Sequence, residues 1–444
     1  MGFRATTQRC RWLKEFTSIY PNCGNRACLQ RDNWRVKTID IDQLKKVLQG
    51  LPDNPRIVVS GNFAPPMTLL GVLDSILPQY RLHMLNAQPG IPDREGVTHE
   101  TAFVGAGMRK STRLDYVPSR LSLLPVLLRD HLRPDLVLLH TSTPRFDTVS
   151  LGIEVNILPA AIEAIRAYGG IVIAQANAQM PYTYGDSQIY ENEIDFMVEV
   201  DEPLKIHAPG ALSDNARSIG ERIAALVSDN STLQLGIGAV PDAVLELMKQ
   251  RKGLRVWTEM FSDGVLELER LGALDEDVPI TASFIFGSRE LYDWLHLNRR
   301  VRMLRTEKTN DPSQIARQAR MTSINACLQV DLFDQANASR VRGKIYSGFG
   351  GSTDFIVGAL HSRGGQSFMA LPSWHEKTNT STIIPKITEA VTSFQHSYVV
   401  TENGVAPCFG RSEFEQAANL IEKAAHPNAR EELWDAAFKM GLAL

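Results

Sequence analysis

Glu259 sits where a hydrophobic run ends. The run Leu254-Arg255-Val256-Trp257 stops at Thr258, and Ser262-Asp263-Gly264 reads as a turn just beyond. The carboxylate falls among Trp257, Met260 and Phe261. Taken alone, such a residue is a solvated carboxylate at a strand end. Its apolar company raises the question of chemistry.

Two glycine clusters lie on either side of it in the chain. Gly236-Ile237-Gly238-Ala239-Val240-Pro241-Asp242 follows a strand-like run and opens a helix-like one. Glycines there let backbone N–H groups approach a ligand, and a helix N-terminus favours an anion. Pro241 stands where a dinucleotide fingerprint has its third glycine, and no ribose-binding acid follows in a convincing strand. A tight structural turn is the competing reading. The second cluster is Ser347-Gly348-Phe349-Gly350-Gly351-Ser352-Thr353-Asp354, between a short strand, Lys344 to Tyr346, and a helix, Phe355 to Leu360. Two such loops suit a phosphate-bearing ligand and an oxyanion hole; hairpin or capping glycines are the alternative.

Other constellations are weaker. His375 and His396 could serve Ser262 and Asp263 as a hydrolase triad, but Ser262 is not in a Gly-x-Ser-x-Gly elbow. No His, Cys or Asp cluster has metal-ligand spacing, so no metal is expected. Arg299, Arg300 and Arg302 read as a solvated face.

The elements that must position these residues alternate between strand and helix. Arg56 to Ser60, Leu136 to His140 and Gly170 to Ala174 are short buried-strand runs; Leu69 to Leu77 and Ala160 to Tyr168 have helical periodicity. Strands separated by helices predict an open α/β fold with a mostly parallel sheet covered on both faces. "IVVSGNFAPPMTLLGVL" from Ile57 and "TLQLGIGAVPDAVLELM" from Thr232 share one order: strand, glycine, small residues, proline, helix. This echo predicts two related halves. The expected division is an N-terminal extension (1–38), a first α/β domain (39–217) and a second (218–444). Gly210 to Arg217 would form the join, and the second domain carries Glu259.

Composition bounds the function. A chain of 444 residues exceeds what one hydrophobic core usually supports. A formal charge of −3 gives no global attraction to nucleic acid or anionic membrane, so neither is expected as a partner. No apolar stretch approaches the roughly 18 residues of a membrane span. Five cysteines, Cys10, Cys23, Cys28, Cys327 and Cys408, are an odd and thin set, which argues for a reducing compartment. Three of them share the first 28 residues with many arginines, as free thiols in a basic tail. The segment from Met1 to Thr6 fits a loose myristoylation pattern, which is weak by itself. With no secretory h-region, the cytoplasm is the expected location, although the Arg-rich start is faintly transit-like.

An ordered set of motifs then adds to this reading. "LQLGIGAVPDAVLELMK", "TEMFSDGVLEL", "SINACLQVDLFDQ", "YSGFGGSTDFIVGAL", "ALPS" and "VVTENGVA" follow one another, after "YVPSRLSLLP" and "ANAQMPYTYGD". Together, over roughly Ile39 to Leu433, they resemble the acetyl-CoA hydrolase/transferase family, which includes 4-hydroxybutyrate- and acetate-type CoA-transferases. The resemblance implies two similar open α/β domains of the CoA-transferase type, a homodimer, and acyl-CoA and a small carboxylic acid as substrates. No tightly bound cofactor is implied.

It also implies roles. Glu259 matches the family's nucleophile, which forms a covalent glutamyl-CoA thioester. The Gly348 to Gly351 loop would supply oxyanion donors, with Gly351 the key N–H and Gly348 and Gly350 beside it. Gly236, Ile237, Gly238, Ala239 and Val240 would hold CoA, and Asn325 of "SINAC" would contact the thioester end. Some positions depart from the family: Trp374, His375 and Glu376 follow "ALPS", and Thr382 replaces an arginine. A lysine role in binding is thereby in doubt, with Lys377 or His375 as replacements. These changes would lie near the acyl pocket or the CoA channel. A CoA-transferase is the leading reading, an acyl-CoA hydrolase using the same Glu the second. A ligand-sensing protein on the same scaffold is the third; it would be expected to lose the nucleophile.

Overall fold

The computed structural model describes residues 36–207, 210–236, 238–393 and 395–443. Ile237 and nearly all of the basic extension, with Cys10, Cys23 and Cys28, lie outside the described residues.

Eight parallel strands make the first sheet. Their order in space is Lys37–Thr38, Phe196–Val200, Ile171–Asn177, Leu136–Ser142, Arg56–Val59, Tyr80–His83, Val97–Thr101, Leu114–Tyr116. The sheet begins earlier than residue 39, because Lys37–Thr38 pairs with Phe196–Met197 as its edge. Side-chain alternation divides each central strand between two cores. Ile57, Leu136, Leu138 and Ile171 pack with Leu44, Leu69 and Leu73 of the helices Ile41–Gln49 and Met67–Ile76. Val58, Val137, Leu139 and Val172 pack with Leu124, Leu158 and Ile162 of the helices Leu124–Asp130 and Leu158–Tyr168. Both faces are dry, so these strands read as continuous β-branched and leucine runs.

The second sheet runs Arg255–Val256, Thr232–Leu235, Met321–Ala326, Gln366–Ala370, Tyr398–Thr401, Gly404–Pro407 in space, parallel up to its last, antiparallel, pair. The echo in the sequence is real in space. Arg56–Val59 leads to the helix Met67–Ile76, and Thr232–Leu235 to the helix Ala239–Leu247. In each sheet the strand of the echo is also where the order reverses: its neighbours are Leu136–Ser142 and Tyr80–His83 in the first, Met321–Ala326 and Arg255–Val256 in the second. Open α/β sheets bind ligands outside the carboxyl ends of strands at such points.

The expected join, Gly210 to Arg217, ends in helix. Ser213 caps Asp214–Leu226 through the N–H of Ala216, so the helix crosses position 217. Arg300 is no solvated side chain either. It reaches back to Glu269 at 2.7 Å and to the carbonyls of Glu276 and Val278, pinning the turn before Ile280–Ala282.

The sequence segments on either side of that join interlock. Tyr184–Gly185 adds in parallel to Arg302–Met303. Val155 and Asn156 donate backbone N–H groups to Ser283 O, at 3.0 and 3.2 Å. Val104 donates to Ser347 O and Leu121 to Gly350 O. Loops of the first sheet thus brace the Glu259 and Gly351 segments of the second.

Candidate active site

Glu259 follows the strand Arg255–Val256 at the carboxyl end of the second sheet. Its backbone is held on both sides. Thr258 donates its N–H to Thr281 O, and Ser283 and Phe284 both donate to Glu259 O, at 2.8 and 3.0 Å. The Thr258 hydroxyl accepts from the Leu235 N–H at 3.2 Å and donates to Met260 O at 2.9 Å. Met260 packs with Phe284 and Phe286, while Trp257 lies against Ile315, Met321 and Phe355. The expected turn at Ser262-Asp263-Gly264 is the start of the helix Asp263–Arg270. Asp263 also accepts from Ser288, whose own hydroxyl caps the helix Arg289–Leu295.

The carboxylate has a neutral partner. Asn310 Nδ2 donates to Glu259 Oε2 at 3.1 Å. Asn310 is aimed by Thr309, whose hydroxyl donates to Asn310 Oδ1 at 2.8 Å and lies 2.6 Å from the Ser283 hydroxyl. Burial pushes the Glu259 carboxyl up to about 7; the Asn310 hydrogen bond opposes the rise and the charge of Asp354 adds to it. Burial likewise raises Asp354 to about 6, against hydrogen bonds from Ser122 and the charge of Arg120.

Gly351 is the N-cap of the helix Ser352–His361 and presses against the carboxylate. A Cβ built there would overlap Glu259 Oε2 and Asn310 Nδ2. Its φ of −99° is open to any residue, so contact with Glu259, not backbone freedom, requires glycine. Gly350 does need that freedom, with φ 60°. Gly348 is packed so closely on Ala102 O that a side chain would part the loop from the first sheet. The helix offers unpaired N–H groups and its positive end beside Glu259, which favours an anion there.

Two spaces flank this centre. A pocket of ≈ 560 Å³ is lined by Gly236, Gly238, Ala239, Met260, Phe261 and Phe286 among others. Its ionisable lining is Asp242, Glu246, Asp263 and Glu267 with Lys249 and His207. Such a wall repels phosphates and suits a neutral arm of a ligand. Val240 does not face this pocket: it is 8 % exposed and joins the core. Asn325 lies beside Gly236, but its amide is committed to Gln234 Oε1 at 3.1 Å and Ser323 Oγ at 2.8 Å. The second space is much smaller and touches Glu259 itself, along with Asn62, Leu85, Asn86, Phe103, Leu121, Asn156 and Phe284.

Residues 287–437 match the model of the acetyl-CoA hydrolase/transferase C-terminal domain. The chain is 35 % identical to the 4-hydroxybutyrate coenzyme A transferase of Clostridium kluyveri over 412 residues, 88 % of this chain and 95 % of that protein. The chain belongs to the acetyl-CoA hydrolase/transferase family. It is also 36 % identical over 414 residues to a succinyl-CoA:acetate/propanoyl-CoA:succinate CoA transferase of Fasciola hepatica, covering 87 % of this chain and 85 % of that one. Among solved structures, RipA from Yersinia pestis superposes with a TM-score of 0.83 at 29 % identity, covering 91 % of this chain and all of that one.

In this family member the departures after "ALPS" lie in and beside a hairpin. Trp374–His375 pairs with Thr380–Ser381 in a hairpin, and the Trp374 ring packs at a tilt against His426. None of Trp374, His375, Glu376, Lys377 or Thr382 lines either space. The triad is not assembled: His396 bonds Asp334, His375 bonds Thr378, and Ser262 faces Asp242. Sequence reasoning missed Asn310, Asn62, Glu154 and Asn156 as site residues: each is a single polar residue in a loop, and Asn62, though inside the echo from Ile57, is not set apart by it.

The pH dependence of the first chemical step follows from the carboxyl. With Glu259 as the expected nucleophile, only its ionised form reacts, so kcat/KM is expected to rise with pH through about 7. Asn310→Ala removes the hydrogen bond that favours ionisation. Its expected effect is a fall on the order of ten- to a hundredfold at neutral pH, with the acid limb moved to higher pH. An unmoved limb in a pH–rate profile would count against the Asn310 contact.

Proposed function

We propose that this chain is a CoA-transferase that moves CoA from an acyl-CoA to a small carboxylic acid. Ionised Glu259 attacks the thioester carbonyl and CoA thiolate leaves, giving an acyl–glutamyl anhydride. The thiolate then attacks the glutamyl carbonyl and expels the first acid as its carboxylate. The resulting glutamyl-CoA thioester keeps the energy of the original bond. A second carboxylate attacks it, and the same steps run backwards to the new acyl-CoA.

One observation carries the reading: a half-buried carboxylate, with no cation paired to it among the described residues, is held by Asn310 against Gly351 at a helix N-terminus. A carboxylate is a weak nucleophile in water because water solvates it, and here fixed dipoles replace that water. Gly351 N–H and Asn310 Nδ2 are the proposed donors to the oxyanion that develops at each tetrahedral stage. The nucleophilic role of Glu259 is also what the family resemblance implies.

CoA approaches, in this reading, from the ≈ 560 Å³ pocket, with its neutral pantetheine arm past Gly236, Gly238 and Ala239 and its phosphates outside the acidic wall. Binding energy from that remote arm can be spent on the reacting carbonyl.

The family also contains acetyl-CoA hydrolases, and the test separates the two activities. Acetyl-CoA is mixed with the protein, with and without a carboxylic acid acceptor. Transfer predicts acceptor-dependent formation of a new acyl-CoA, with little free CoA in its absence. Steady release of CoA that acceptors do not speed would assign hydrolysis.

A further inference from the structure

Asp354 is buried near Glu259 and takes no part in the proposed steps. It is the third residue of the helix Ser352–His361 and is 1 % exposed. An acid at this position ordinarily serves its own helix end, where it can accept from the N-cap N–H. Asp354 does not. Among the described residues its carboxylate accepts only from Ser122, whose hydroxyl donates to Oδ1 at 2.9 Å and whose N–H donates to Oδ2 at 3.4 Å. The N-cap is Gly351, which has no side chain to cap with.

Ser122 comes from the other half of the chain. It lies in the single 3-10 turn Leu121–Leu123, just before the helix Leu124–Asp130. The residues before it hold the glycine loop: Arg120 and Gly350 pair as a parallel bridge, and Leu121 donates its N–H to Gly350 O at 3.1 Å. One short segment therefore grips both the loop and the first turn of the helix it opens. The charges around Asp354 are Arg120, which favours its ionised form, and Asp311, which opposes it. The charge of Asp354 in turn acts on Glu259. Gly351 thus stands between two carboxylates of like charge, in contact with Glu259 and three residues before Asp354.

Resting on the transferase reading, we infer that Ser122 is a positioning residue: it holds the Asp354 carboxylate off the helix N-terminus and so keeps the Gly351 N–H free for the oxyanion that develops beside Glu259. Once released, the carboxylate has other donors within its own helix, the N–H groups of the first turn. There it occupies what the oxyanion needs and brings a second negative charge closer to Glu259. The helix loses nothing by the change, because an acid at its N-terminus is stabilising. The loss falls on catalysis rather than on the fold.

The test reads kcat, the pH dependence of kcat/KM, the melting temperature and the glutamyl-CoA adduct in the full-length protein, with acetyl-CoA as donor and propionate as acceptor. Ser122→Ala is expected to lower kcat on the order of tenfold or more, short of the roughly 10²- to 10³-fold cost of losing an oxyanion donor outright. Its acid limb moves to higher pH, because the freed charge lies closer to Glu259, and its melting temperature is little changed. Ser122→Thr keeps the hydroxyl and restores the rate. With Asp354→Ala already present, Ser122→Ala has no further effect, since no carboxylate is left to hold. Asp354→Asn keeps an acceptor for Ser122 without the charge, and its limb moves to lower pH. An equal fall from Ser122→Ala in the Asp354→Ala background overturns the inference. So does a Ser122→Ala enzyme with the wild-type kcat and limb, or one that melts well below wild type, which would make the contact structural. Each of these leaves the transferase reading standing. No glutamyl-CoA in wild-type protein overturns both.

Discussion

Glu259→Gln loses CoA transfer by on the order of 10⁴-fold or more, while the protein stays folded. The amide fills the same space and can still accept from Asn310, but it cannot open a thioester. Stability moves the other way. The folded carboxyl titrates near 7 against a usual value of 4.5, so between those values the native state binds more protons than the unfolded one. Stability from this group is therefore present at low pH and lost as pH rises towards 7. The variant has no such loss, and its melting temperature at pH 8 equals or exceeds that of wild type. A variant with unchanged turnover would remove Glu259 from the mechanism. One that unfolds would show the carboxylate to be structural.

Gly351→Ala is the second large effect, and its cause is local. The backbone at φ −99° and ψ −4° accepts alanine. The new methyl meets Glu259 Oε2 and Asn310 Nδ2, the ends of two side chains that can turn away. Turning away separates the Glu259 carboxylate from its amide donor and from the helix N-terminus. Loss of one oxyanion donor alone costs on the order of 10²- to 10³-fold in kcat, and that is the expected fall, with the melting temperature little changed. Gly358→Ala is the contrast. Six residues on from Ser352 in the same helix, its methyl would overlap Ile315 and crowd Pro312 O, so stability falls and the contacts of Glu259 are untouched. If both variants lost stability and kept activity, Gly351 would be a packing glycine.

Much of the scaffold is legible in the sequence because its signals are local. Buried parallel strands need apolar residues on both faces, so Leu136 to His140 and Gly170 to Ala174 stand out as runs. The echo between Ile57 and Thr232 marks the two strands at which the sheets reverse, the points where ligands bind. Glu259 and Gly351 are visible because motifs surround them. What stays hidden is what depends on distance along the chain. Asn62 meets Glu154 from 92 positions away, and Asn310 meets Glu259 from 51. Asparagine in a loop is normally a turn residue, so its type gives no warning. The acidic lining of the larger pocket is hidden for a related reason. Asp242, Glu246, Asp263 and Glu267 converge only when Ala239–Leu247 and Asp263–Arg270 pack side by side. Ser262 and Asp263 mislead differently: the residue types that start helices are those that make turns.

The proposed mechanism turns on a covalent bond at Glu259. The most direct measurement is peptide mass spectrometry of the protein after mixing with acetyl-CoA and no acceptor. The expected result is a mass gain of CoA less one water on the peptide that contains Glu259, reversed by a carboxylic acid and absent in Glu259→Gln. Transfer of CoA with that peptide unmodified, or the adduct on another residue, would contradict it.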